Sequence, residues 1–394
     1  MAKKRYYLDS RVLSVLFLAA MPFVAFGSFV VVKMASGQLR ESLGQGLEQR
    51  AVQTKLSLER YVANRVVDLR LLARQPELLQ TVSAPDRELK AGDDVKLEQA
   101  WAAASDPGLA SPILRSPLAA RLRDVVEVRP AFLAIQVVNR RGRLVAASSP
   151  GGQLFHGESA WFKTLGRQEG PAHAYVSDIQ RSRSGDQVVL EITYPIRDID
   201  GGWLGAIRGV VNAADIYGVL APVRAGRTGH ALLLRATDGM ILASDDAEKS
   251  LRDVFPGFDA LRGAMEGFPL GEQGTQLFGQ PQLGRGYWTI PAERATGGEP
   301  APAAPRQARL VGYAPVDQVP NVKWLVVVEQ SLAEALSPVE GVTRYLWFHF
   351  AGALATILLL AAYISFKLER PVMEHDLHLH EEHVPAGGKA AAEE

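Results

Sequence analysis

The chain has no cysteine among its 394 residues, which excludes disulfides, thiolate nucleophiles and cysteine-ligated zinc. That absence suits an envelope protein avoiding mispairing in an oxidising compartment. Net charge is lacking too. The 43 lysines and arginines balance 43 aspartates and glutamates, so no global basic field attracts nucleic acid and no acidic excess marks a solvating tail. The common chemical motifs are missing. "GRTGHALLL", from Gly226, has neither the spacing nor the lysine of a GxxxxGK[ST] phosphate loop, "HGESAW" lacks the second glycine of a nucleophile elbow, and no HExxH zinc helix occurs. Asp178, Asp186 and Glu191 are candidates for an acid/base pair, but nothing in the sequence sets their separation. The reading is of a non-enzyme without a cofactor.

Long apolar runs, by contrast, are present. Val12–Val32 and Leu346–Phe366 are uncharged, match the roughly 20 residues that cross a hydrocarbon core, and show no polar face at a period near 3.6. The first resembles a signal sequence in its Lys3-Lys4-Arg5 start. Signal cores run about 7–15 residues, however, and no small-x-small cleavage site precedes Lys33, so the segment reads as an anchor. Transmembrane helices are expected over 12–33 and 345–366. Lys3, Lys4, Arg5 and Arg11 before the first, with Lys367 and Arg370 after the second, place residues 1–11 and 367–394 in the cytoplasm of a bacterial inner membrane and residues 34–344 outside.

Between the spans, Leu39–Leu79 reads as a long helix with apolar residues at Leu39, Leu43, Leu47, Val52, Leu56, Tyr61, Val62, Val66, Leu69 and Leu72. This near-heptad stripe packs a helix along its own domain, forms a homodimer stalk, or does both. Pro85 is expected to stop it, giving a stalk over 36–82. After a Pro-, Ala- and Ser-rich passage near Ala102–Leu118 come short β runs. "FLAIQVVNRRGRLVAAS" is a hairpin around Asn139–Gly142, followed by "HAYVSDI", "QVVLEITYPI" and "WLGAIRGVVN". The plan then repeats, with "GHALLLRATDGMILAS", "GYWTI", "ARLVGYAPV" and "KWLVVVEQ", which predicts two related α+β modules in tandem over 83–223 and 224–338. Pro291–Ala308 is too rich in Pro, Gly and Ala to pack, and reads as an insertion loop.

This arrangement resembles the double Cache sensor, the PAS-like extracytoplasmic region of many bacterial chemoreceptors and sensor kinases. "NRRGRLVAAS" is similar to the family's first hairpin, "ESAWFKTL" to its aromatic helix start, and "AYVSDIQRSRSGDQVVLEITYPIRDIDGGWLGAIRGVVN" to the closing strands of its membrane-distal module. "GRTGHALLLRATDGMILAS" and "VKWLVVVEQSLAEALSPV" are similar to the opening of the membrane-proximal module and to the exit helix. The resemblance implies a small-molecule site in the distal module, at Trp161, Phe162, Tyr175, Asp178 and Glu191. Two aromatic faces enclose an apolar or cationic group and a carboxylate takes an ammonium or guanidinium. Against this, Trp161 and Phe162 also suit a core, Asp178 a turn cap, and Glu191 a solvated strand face. Amino-acid-binding members carry an arginine two residues before the tryptophan and an aspartate on the last strand. Here those positions hold Ser159 and Val210, which argues against a free α-amino acid held in that manner and leaves the ligand class open.

Four of the eight histidines, His375, His378, His380 and His383, stand in the tail beside Glu374, Asp376, Glu381 and Glu382. Asp376, His380 and His383 share a helical face, enough for a loose zinc, nickel or copper site. The plainer reading is a solvated, pH-sensitive stub. "FKLERPV" resembles the first residues of a HAMP connector. The expected function is a membrane-anchored sensor of a small solute that signals through a separate partner; the alternative is an envelope scaffold built from the same modules.

Overall fold

The computed structural model describes residues 10–84, 93–103, 106–167, 173–182, 187–245, 249–264, 285–290 and 307–368. The His375, His378, His380 and His383 cluster and residues 291–306 of the insertion loop lie outside them. The chain divides into two units, Met1–Arg40 with Leu336–Glu394, and Glu41–Ala335.

In chain order the helices are α1 (Ser10–Ala73), α2 (Pro76–Ser83), α3 (Asp93–Ala102), α4 (Pro107–Leu114) and α5 (Pro117–Val128). Then follow strands β1 (Phe132–Asn139) and β2 (Leu144–Ala147), helix α6 (Ala160–Arg167), and strands β3 (Tyr175–Val176), β4 (Gln180–Arg181), β5 (Val188–Arg197) and β6 (Trp203–Asn212). The second module holds α7 (Ala214–Leu220), β7 (Arg224–Ala225), β8 (Gly229–Arg235), β9 (Ile241–Ser244), α8 (Phe258–Ala264), β10 (Gly286–Ile290), β11 (Arg309–Val316) and β12 (Trp324–Ser331). Helix α9 (Leu332–Leu368) ends the described chain.

In the first unit the helical segments are long and apolar enough to cross a membrane. Phe23, Phe26 and Phe348 are 78, 67 and 72 % exposed, a cost in water that a hydrocarbon surrounding removes. Ala25, Ser28 and Phe29 of α1 line a small cavity of about 60 Å3 with Thr343, Trp347 and Phe350 of α9.

The second unit is built on α1. Its buried positions, Leu47, Ala51, Thr54, Leu58, Val62, Leu69 and Leu72, recur at spacings of three, four and seven residues, and the apolar ones form one continuous core with the inner faces of both sheets. Leu56, expected on this stripe, is 50 % exposed, while Leu58 is fully buried. Helix α1 also ends earlier than expected. Gln75 takes an extended conformation (φ −72°, ψ 135°) ahead of Pro76, which starts α2; a residue before proline avoids the α region, so the break falls there and not at Pro85. The Pro-, Ala- and Ser-rich passage holds α4 and leads into α5. Each opens on a proline, with Asp106 accepting from the Gly108 and Leu109 amides and Ser116 from that of Ala119.

The two antiparallel sheets share one plan. The first has the order β2-β1-β6-β5-β3, with β4 also on β5; the second has β10-β11-β12-β8, with β7 and β9 both on β8. In each, the first hairpin strand pairs with the last strand of its module. The hairpin turns need Gly142 (φ +80°) and Gly239 (φ +74°), where a side chain is strained. Gly312 of β11 serves differently, since a Cβ there would collide with the α1 backbone at Leu47 and Glu48. The outer faces, away from α1, carry separate cores: Trp101, Leu154, Trp161 and Leu165 on the first sheet, and Phe255, Phe258, Leu261 and Tyr313 on the second.

Candidate functional site

Alternation along β1, β5 and β6 sends Ile135, Val137, Ile192 and Ile207 inward to α1, and therefore Gln136, Thr193, Glu191 and Arg208 to the outer face. Gln136 stands opposite Arg208, and Arg208 opposite Thr193. Gln136 and Thr193 are buried, and the side chains of Arg208 and Glu191 are only 13 and 19 % exposed. Burying such groups is costly unless they satisfy one another. They do. Arg208 ion-pairs with Glu191, the Arg208 guanidinium donates to Gln136 Oε1 at 3.2 Å, and Gln136 Nε2 donates to the Gly151 carbonyl at 3.2 Å.

Neighbouring loops frame this cluster. Tyr175 of β3 pairs with Thr193. Burial, and then the charges of Asp178 and Glu191, push its hydroxyl pKa up. The Glu191 amide donates to Ser177 Oγ at 3.0 Å. On the other side, Trp101 Nε1 donates to the Gly152 carbonyl at 3.2 Å. The Glu98 carboxylate accepts from the Leu154 amide at 2.9 Å and the Phe155 amide at 3.0 Å, tying α3 to the loop that Gln136 also holds.

Of the five residues expected to bind ligand, Tyr175 and Glu191 come together at this cluster. Trp161, only 8 % exposed, and Phe162 meet edge to face at 5.6 Å, with Trp203 a further 5.6 Å from Phe162. These rings belong to the outer-face core that Tyr175 also packs against. Asp178 points elsewhere: its Oδ1 accepts from Trp324 Nε1 at 2.8 Å and its Oδ2 lies 3.5 Å from Arg235 Nε, both in the second module. Ser159 begins the α6 turn, its carbonyl accepting from the Phe162 amide at 3.1 Å, and Val210 stands opposite Glu191. Sequence reasoning missed Arg208, Gln136 and Thr193. The available signal was a polar residue interrupting each of three apolar strands.

Chemically, the cluster offers a guanidinium fork for an oxyanion, a carboxylate for a cation, and amide and hydroxyl groups between them. Among the described residues no group of three or more His, Asp or Glu side chains is placed to hold a metal ion.

The profile of the Cache domain family matches residues 34–339. No curated protein matches the chain. Similar solved structures include the ligand-binding domain of the Pseudomonas fluorescens chemoreceptor CtaA in complex with L-leucine, at 14% identity over 76% of this chain and 99% of that one, TM-score 0.45. That of the Pseudomonas aeruginosa PAO1 amino acid chemoreceptor PctC in complex with GABA is 16% identical over 73% and 99%, TM-score 0.42. The extracellular domain of the putative histidine kinase rpHK1S-Z16 is 17% identical over 68% and 95%, TM-score 0.39.

Proposed function

The chain belongs to the Cache domain family, and on that premise we propose that it is a membrane-anchored extracytoplasmic sensor of a small zwitterionic molecule. Cache domains are ligand-binding sensor domains. The observation that carries the ligand class is the Arg208–Glu191 pair, held on the outer face by Gln136 and bordered by Thr193 and Tyr175. Each partner satisfies the other in the absence of ligand. A molecule with a carboxylate and an ammonium exchanges that one pair for two, keeping every buried charge matched. Trp161 and Phe162 supply the aromatic side of the site, and Asp178 acts from its edge. The missing arginine at Ser159 is thereby replaced from the sheet.

Both termini lie in the cytoplasm of the bacterial inner membrane, a placement supported by the lysines and arginines flanking the apolar segments. The change is handed to a separate signalling protein, and the protein works as a homodimer. Leu56, Val67 and Leu71, 50, 48 and 60 % exposed on α1, support pairing at i, i+11 and i+15 spacing. That stripe also favours a second reading, in which the modules serve as an assembly scaffold.

Thermal unfolding of the full chain in detergent micelles separates the two. A ligand at 100 times its dissociation constant adds about 2.7 kcal/mol. Panels of α-, β- and γ-amino acids, amines, carboxylates and purines are expected to yield a stabilising zwitterion whose effect R208Q abolishes. No shift across all panels refutes the sensor and leaves the scaffold.

A further inference from the structure

A groove of about 350 Å3 lies where α1 passes the connector between the modules. One wall is α1, with Arg50, Gln53, Thr54 and Ser57; the other is the end of α7 and the start of β7, with Val219 and Arg224. Each wall thus contributes one guanidinium. Arg224 Nη1 donates to Asp245 Oδ2 at 2.8 Å, and the rest of its fork meets no other acceptor among the described residues. Arg50 forms no ion pair among the described residues.

The hydroxyls of α1 narrow the chemistry. Thr54 Oγ1 donates to the Arg50 carbonyl at 2.8 Å, and Ser57 Oγ donates to the Gln53 carbonyl at 3.0 Å. The Ser57 hydrogen is committed within the helix, so this exposed oxygen offers lone pairs only, while Thr54, 3 % exposed, closes the wall. The groove therefore pairs strong donors, suited to an oxyanion, with spare acceptors, suited to hydroxyl groups. A bare inorganic anion uses only the first set. The volume falls within the roughly 300–1,000 Å3 of small-ligand sites.

We infer that this groove is a second ligand site, separate from the outer-face cluster, for a small hydroxylated oxyanion, a hydroxycarboxylate or a sugar-type phosphate. A molecule seated there contacts α1 and the segment joining the two modules at once, so its occupancy braces one against the other.

Isothermal titration of the full chain in detergent micelles tests this with gluconate and glycerol 3-phosphate, against hexanoate and propyl phosphate as counterparts without hydroxyl groups. At least one hydroxylated probe binds, and its counterpart binds about tenfold more weakly or worse, as loss of charge-independent hydrogen bonds predicts. R50Q weakens binding by about tenfold or more, and V219W, which fills the groove, abolishes it. R208Q, in the distal cluster, leaves it unchanged, so this site and the zwitterion site fail or stand separately. Absence of binding by both hydroxylated probes, binding that R50Q and V219W leave intact, or a counterpart that binds equally well overturns the inference.

Discussion

Asp178 Oδ1 accepts a hydrogen bond from Trp324 Nε1 at 2.8 Å, and this bond joins the two modules. Asp178 follows β3 of one sheet and Trp324 opens β12 of the other. The loop carrying Asp178 also holds Tyr175, paired with Thr193, and Ser177, whose hydroxyl accepts from the Glu191 amide. The Arg208–Glu191 pair is thereby linked to the second module through two hydrogen bonds and the Ser177–Asp178 peptide.

Removing the acceptor tests that bond. Trp324 is 1 % exposed, so D178A strands a buried indole N–H and should cost about 1–3 kcal/mol. D178N keeps an acceptor and loses only the charge toward Arg235, and should cost less. Chemical denaturation of the two variants decides it: equal losses mean that the charge, not the hydrogen bond, holds the junction.

Breaking the outer-face pair should separate binding from folding. E191Q leaves the Arg208 charge partly buried with only neutral partners, Gln136 and the new amide at position 191, a loss of roughly 1–3 kcal/mol for side chains that keep some solvent. The same variant should lose the zwitterion's thermal shift. The double variant E191Q/R208Q should recover part of the stability, and none of the binding, in the same melting experiment.

Gly312 permits a close approach of α1 to the second sheet. G312A places a methyl group against the Leu47 and Glu48 backbone, which cannot swing aside as a side chain can. Overpacking of this kind costs about 1–3 kcal/mol. Urea unfolding should show the midpoint falling; an unchanged midpoint means α1 can lift off β11 freely.

A carboxyl pair near the end of β11 sets a pH dependence. Glu59 Oε1 accepts from the Asp317 and Gln318 amides, each at 3.0 Å, and Lys55 Nζ lies 2.7 Å from Asp317. Burial raises the Glu59 pKa above its ordinary 4.5, against the opposing pull of the Gln318 amide. For Asp317, burial pulls upward, but hydrogen bonds from Lys55 and Glu59 win and lower it from 3.8. A raised value in the fold means Glu59 adds stability below 4.5 that is lost as pH rises through the folded value. Asp317 adds stability above 3.8 that is lost as pH falls through its folded value. E59Q keeps the acceptor but removes the first effect. Wild type should therefore gain on E59Q in melting temperature between pH 7 and pH 5, and a constant gap refutes the assignment.

Local chemistry made much of the fold readable. Gly142 and Gly239 stand where positive φ is required, so both hairpins are visible, and the repeated strand plan follows from alternation alone. Caps were equally local yet overlooked: Asp106 before Pro107 and Ser116 before Pro117 start helices in a stretch whose composition looks irregular. The candidate site is another matter. Gln136, Glu191 and Arg208 meet through strand register across some 70 residues, as in the Arg208 bond to Gln136 with a separation of 72. Register depends on pairing that no single segment encodes. Asp178 is a like case, since its loop carries it to Trp324, a contact that its residue type alone does not announce.

Helix α1 packs beneath both sheets with one stripe, Leu47 against Gly312 of the second and Leu69 against Gly209 of the first. The two modules are thereby set in phase by a single rod, as cams are on a shaft. One residue inserted between Glu59 and Leu69 would turn one half of the stripe by about 100° against the other. The lengths that preserve the timing are whole helical turns, near 7 or 11 residues.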